Sequence, residues 1–132
     1  MTKLTNNFSL EEFACKDGSE TPIELYANLQ KLANNLQVLR DELGVSIHIN
    51  SGYRSPSYNQ KIRGAKFSQH VNGKAADITA KGFTPLQVYD TILKLIAEKK
   101  MQEGGLGIYD SWVHYDVRDG KARWDERRET KN

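Results

Sequence analysis

Leu25, Leu29, Leu32, Leu36, Leu39 and Leu43 step alternately by four and by three residues. On a helix of 3.6 residues per turn this spacing stacks them on one face. Such a stripe must be laid against another apolar surface. It spans too few heptads for a coiled coil, so the covering surface is expected to be the chain's own core. Gly44 stands where a left-handed residue would end the helix. A chain of 132 residues can build that core as one domain, 1–132, with no room for a second folded module.

The rest of the chain supplies what covers the stripe. All three prolines follow a hydroxyl residue, as Thr21-Pro22, Ser55-Pro56 and Thr84-Pro85. Each pair reads as a helix cap followed by the first helical residue, where the missing proline donor costs nothing. Thr21 with Glu24, Thr84 with Gln87 and Ser9 with Glu12 form capping boxes. Helices are therefore expected from about Ser9 to Ala14, from Pro22 to Leu43, over Ser55–Ile62, and from Thr84 with Tyr89, Ile92, Leu93 and Ile96 inward. Val45, Ile47 and Ile49 alternate with polar residues, the period of a half-buried strand. Residues 75–80 read as a second strand. Leu106–Tyr109 and Trp112–Arg118 read as two more around an Asp110-Ser111 turn. This order predicts an α+β fold, with helices covering one side of a small, mainly antiparallel sheet.

Hydrophobic residues at 38% and charged residues at 27% describe a water-soluble globular chain, not a disordered one. A net charge of +2 gives no case for nucleic acid as a partner. No apolar run approaches the roughly 20 residues of a membrane span. The start, Met1-Thr2-Lys3-Leu4-Thr5, lacks the apolar stretch of a secretory signal. The chain is thus expected to be cytoplasmic as made, and any action on a cell wall would need release by other means, as in a phage or prophage. Cys15 is the single cysteine and has no motif around it that suggests a nucleophile. From about residue 119 the chain is expected to be a charged, solvated end. There Arg123, Arg127 and Arg128 interleave with Asp119, Asp125, Glu126 and Glu129, and Trp124 is expected to pack. Gly104-Gly105-Leu106-Gly107 is no phosphate loop, since it opens no helix and lacks a downstream Lys-Ser/Thr.

Two of the three histidines stand in unusual company. His70 precedes Gly73 and Asp77, and His114 precedes Asp116 and Arg118. A catalytic zinc takes three protein ligands, often two His and a carboxylate, and leaves a fourth position for water. His70 and Asp77 would converge if the chain turned at Gly73. Alternation would put Trp112, His114, Asp116 and Arg118 on one strand face. Spacing alone leaves two readings open: a metal site, or a solvated sheet face beside a glycine-containing loop. His48 is expected to face solvent or a neighbouring helix. Tyr53 and Tyr58 either line a groove or pack beside their turn.

Ser68-x-His70-x-x-Gly73-x-Ala75-x-Asp77, with His114 far downstream, resembles the signature of the zinc D-alanyl-D-alanine peptidases, which share a fold with the hedgehog signalling domain. Ser51-Gly52-Tyr53-Arg54-Ser55 with Tyr58-Asn59, and Gly104-Gly105-Leu106-Gly107-Ile108-Tyr109, extend the likeness from about Phe8 to Arg118. The resemblance implies one Zn²⁺ per chain held by His70, Asp77 and His114. It implies that Arg54 stabilises an oxyanion or holds a substrate carboxylate, and that Ser68 orients the substrate. Tyr53, beside Arg54, is then a candidate for the substrate groove. The family's substrates are peptidoglycan stem peptides or small D-peptides, cut by carboxypeptidases, endopeptidases and phage lysins.

Many such peptidases carry Glu or Asp three residues before the second zinc histidine, as general base; here that residue is Ser111. Asp116 is favoured in its place because it shares the expected face with His114. Asp110 is the alternative if a bulge shifts the register. If neither serves, the alternative is a zinc-stabilised wall-binding or phage structural module with little activity.

Overall fold

The computed structural model describes residues 2–128, so Glu129 of the charged end lies outside them. The leucine stripe is helix α1, Tyr26–Leu43, with Leu29, Leu32, Leu36 and Leu39 buried. Gly44 closes it at φ 70°, its N–H bonded to the Arg40 carbonyl. The start differs from the expectation. Ile23–Leu25 is a 3-10 turn with Pro22 at the cap position and no side-chain cap. The Leu25 N–H closes on the Pro22 carbonyl at 3.0 Å, and this tighter turn stands where the Thr21–Glu24 box was expected.

The other capping signals hold. Ser9 and Glu12 box the 3-10 turn Leu10–Phe13. Ser55 caps helix α2, Pro56–Lys61, by accepting from the Tyr58 N–H at 3.1 Å. Thr84 and Gln87 form the reciprocal pair that opens helix α3, Pro85–Ala97. Its buried residues are Val88, Ile92 and Leu95, so the inner face is turned from the expected one, and Tyr89, Leu93 and Ile96 are only partly buried.

Five strands form one sheet: β1 (Ile47–Ser51), β2 (Ala75–Ala80), β3 (Gly105–Ile108), β4 (Val113–Asp116) and β5 (Ala122–Asp125). Their spatial order is β1-β2-β4-β3-β5. All pairings are antiparallel except β3 with β5. The architecture is α+β, as expected. Strand β5 corrects the expectation of a solvated end from residue 119. The chain adds an edge strand there because its charges find partners: Arg123 pairs with Glu103 and donates to the Gly104 carbonyl at 2.8 Å.

Helix α3 packs on β2, β3 and β4, and α1 packs against α3. Ala76 and Ile78, Leu106 and Ile108, and Val113 and Tyr115 share one hydrophobic core with both helices. Because side chains alternate along a strand, Asp77, His114 and Asp116 point to the opposite face. Register aligns one rung across the whole sheet: Ser51, Asp77, His114, Gly107 and Trp124 lie side by side on β1, β2, β4, β3 and β5.

Candidate metal centre

Asp77, His114 and Trp124 of that rung line a cleft of about 510 Å³. Asp77 and His114 face each other directly across β2 and β4. His70 arrives from the loop before β2. This loop turns at Gly73, φ 68°, where its N–H bonds to the His70 carbonyl. The Arg54 N–H also holds the His70 carbonyl, at 3.1 Å. The result is a buried group in which His70 Nε2 and His114 Nδ1 lie 3.3 and 3.2 Å from the same oxygen, Asp77 Oδ1.

Each of the three has its other polar atom tied down. His70 Nδ1 lies 2.8 Å from the Gly52 carbonyl, which accepts its proton and leaves Nε2 as the lone-pair nitrogen. His114 Nε2 lies 2.6 Å from Asp116 Oδ2, which does the same for Nδ1. Asp77 Oδ2 accepts from Arg54 Nη2 at 3.1 Å, leaving Oδ1 toward the imidazoles. Two imidazole nitrogens and one carboxylate oxygen, converging with fixed tautomers, are a donor set that fits zinc.

The electrostatics follow from burial and these bonds. Burial pushes the His70 imidazole below its ordinary value, and Asp77 only partly offsets this. Burial acts the same way on His114, but hydrogen bonds to Asp116 and Asp77 outweigh it and raise the value. Burial alone would raise the Asp77 carboxyl, yet the two imidazoles hold it well below the usual carboxylate range.

Asp116 does not stand where a base would. It is 0% exposed and is not among the residues lining the cleft. Its Oδ1 accepts from the Gly105 N–H at 2.9 Å, from the Arg118 N–H at 3.1 Å and from Arg118 Nε at 2.9 Å. Its Oδ2 accepts from His114 and, at 2.7 Å, from Arg118 Nη2. Bonds from His114 and Arg118 overcome burial and hold it strongly acidic, so it is both shut off from cleft water and a poor proton acceptor. Asp110 also lies off the cleft, exposed, and accepts from the Arg128 N–H at 3.1 Å. Ser111 lines a separate small cavity with Phe83 and Val88.

Arg54 and Ser68 line the cleft as the resemblance implies. Arg54 spends three of its five N–H donors on Ser51, Asn59 and Asp77, and two remain. Ser68 Oγ accepts from the His70 N–H at 3.2 Å, which leaves its own proton to donate. Tyr53 is not brought to the cleft. It is 5% exposed, and its N–H is bonded to the Phe13 carbonyl. His48 is exposed, as expected.

The sequence reading missed the contribution of β5 and of two glycines. The Trp124 ring lies 4.9 Å from that of His114, its Nε1 donates to the Tyr109 hydroxyl at 2.9 Å, and the Arg118 guanidinium lies over it at 5.4 Å. A side chain at Gly107 would collide with Trp124, and one at Gly105 with the Asp116 carboxylate. The signal was available: Gly-x-Gly within a strand marks close approach on one face. Tyr109 and Trp112, stacked at 4.5 Å, and the 83% exposed Phe67 complete the cleft with Arg63, Arg118 and Glu126.

No curated protein matches the chain. No helix among the described residues is long and apolar enough to cross a membrane. Residues 6–116 match the family described as Peptidase M15, whose members are zinc-dependent peptidases, and the chain belongs to this family.

Proposed function

We propose that the chain hydrolyses peptide bonds in peptidoglycan stem peptides, as a D-Ala-D-Ala carboxypeptidase or a stem endopeptidase of phage-lysin type, with one zinc held by His70, Asp77 and His114. The observation that carries this reading is the convergence of those three in the cleft, each with its second polar atom pinned. Zinc bound there would polarise the scissile carbonyl and make water acidic enough to attack near neutral pH.

The protein's own groups have distinct tasks. Asp116 holds His114 in the tautomer that turns Nδ1 to the cleft, and Arg118 neutralises the buried carboxylate. Arg54 keeps Asp77 in place and presents its remaining donors to an oxyanion or a substrate carboxylate. Ser68 offers a hydrogen bond to the peptide backbone. Arg63 adds a positive charge at the rim, which suits a peptide bearing carboxylates, while Tyr109 and Trp112 provide an apolar wall.

The test is a digest of purified peptidoglycan by the zinc-loaded protein, read by mass spectrometry beside a chelated control. Metal-dependent release of stem fragments is expected, and their masses name the bond cut. An unchanged wall, together with intact short D-peptides, would sink the proposal.

A further inference from the structure

Peptide hydrolysis needs a group that accepts a proton from water and returns it to the leaving nitrogen. Asp116 is sealed off, Asp110 lies off the cleft and Ser111 is no base. Among the described residues, the carboxylates lining the cleft are Asp77 and Glu126. Asp77 belongs to the donor group, which leaves Glu126.

Glu126 follows β5, two residues after Trp124. Its N–H is bonded to the Ile108 carbonyl at 2.8 Å, so the β3–β5 ladder runs on to it. By strand alternation its side chain shares the Trp124 side, and Trp124 reaches across Gly107 to His114. Glu126 lines the cleft together with Trp124, Arg118 and His114. It lies beyond residues 6–116, the segment that matches the family.

We propose that Glu126 is the proton-carrying catalytic residue of this cleft, a reading that rests on the peptidase function proposed above. As the water oxygen forms its bond to the carbonyl carbon, one water proton passes to the Glu126 carboxylate. The same proton passes to the peptide nitrogen as the C–N bond breaks. A carboxylic acid and an amine leave, and Glu126 ends ionised as it began. Strand β5 is therefore a catalytic element: it brings Trp124 against His114 and carries Glu126 to the cleft.

The experiment compares the full chain with Glu126→Gln and Glu126→Asp. Zinc retention is measured by equilibrium dialysis. Turnover is measured on purified peptidoglycan and on the synthetic peptide L-Ala-D-Glu-L-Lys-D-Ala-D-Ala across pH 5–9. The expected result is that Glu126→Gln keeps its zinc, loses about 10²–10⁴-fold in turnover and loses the acidic limb of the pH profile. Glu126→Asp, one methylene shorter, should recover part of the rate and the limb. Turnover of Glu126→Gln within about threefold of the parent would overturn the assignment and leave the peptidase reading intact. Loss of zinc in Glu126→Gln would also overturn it, in favour of a structural role. A zinc-loaded parent inactive on both substrates would overturn the peptidase reading and Glu126 with it.

Discussion

The two faces of the sheet bury their residues by opposite means. Along β2 and β4, Ala76, Ile78, Val113 and Tyr115 are buried under the helices, while Asp77, His114 and Asp116 are buried on the other side. The first set is held by removal of apolar area, worth about 0.8 kcal/mol per buried methylene and indifferent to direction. The second set gains nothing from burial itself. Taking a charge or imidazole out of water costs free energy unless each polar atom finds a partner. No buried side-chain nitrogen or oxygen among the described residues lacks one. One face therefore tolerates repacking at constant volume, and the other depends on each hydrogen bond.

This contrast can be broken at either face. The largest effect is expected from His70→Ala or His114→Ala. Each should cost more zinc affinity than the about 10–100-fold that loss of an outer partner brings, and turnover with it. Either variant holding one zinc per chain in dialysis would undo the assignment of that face. Next is Leu36→Ala on α1, at about 2–5 kcal/mol of stability by denaturant titration. The folded fraction should bind zinc as the parent does, and altered affinity there would show that the faces are coupled.

Asp116→Asn sharpens the comparison because it removes charge with almost no change in volume. Zinc affinity should fall by about 10–100-fold as His114 loses its fixed tautomer, while the fold persists. Unchanged affinity would mean that Asp116 does not orient His114. Gly107→Ala adds one methyl against Trp124 and should cost about 1–3 kcal/mol, with a changed near-ultraviolet dichroism from the displaced indole. A parent-like spectrum and midpoint would show that β5 gives way freely.

The smallest effect lies away from both faces, at Asp17. Hydrogen bonding from Cys15, then Ser19 and Ser55, holds its carboxyl well below the usual range. The folded value is thus below the unfolded one, about 3.9. Its contribution is complete above that pH and is lost as pH falls through the folded value. Asp17→Asn should melt slightly below the parent at pH 7, with the gap closing below about pH 4. A gap that persists undiminished to pH 2 would exclude this carboxylate as its source.

Much of the fold is legible in the sequence. The leucine stripe, the Ser55 and Thr84 caps and the strands at residues 47–51 and 75–80 follow from local periodicity and capping chemistry, which act within a few residues. His70, Asp77 and His114 were legible as a set through the family resemblance, since spacing alone left a metal site and a solvated sheet face both open. Asp116 was placed on the correct face but given the wrong surroundings. Sharing a face with His114 brings contact, and contact with Arg118 and Gly105 closed it to the cleft. Tyr53 was one residue from the site in sequence but is buried away from the cleft, its N–H bonded to the Phe13 carbonyl.

By itself the sequence determined the α+β class and the inward leucine face of α1, because both depend on spacing within single elements. The inward face of α3, and the meeting of His70, Asp77 and His114 from a loop and two strands, depended on how the elements pack. Tertiary structure alone decided what becomes of residues 122–126. Their charge reads as a solvated end, and nothing local marks them as a strand. Pairing with β3 at a register that sets Trp124 beside Gly107 brings Trp124 and Glu126 to the cleft. That outcome depends on partners many residues away, Glu103, Gly104 and Ile108, whose approach is fixed only when the sheet assembles.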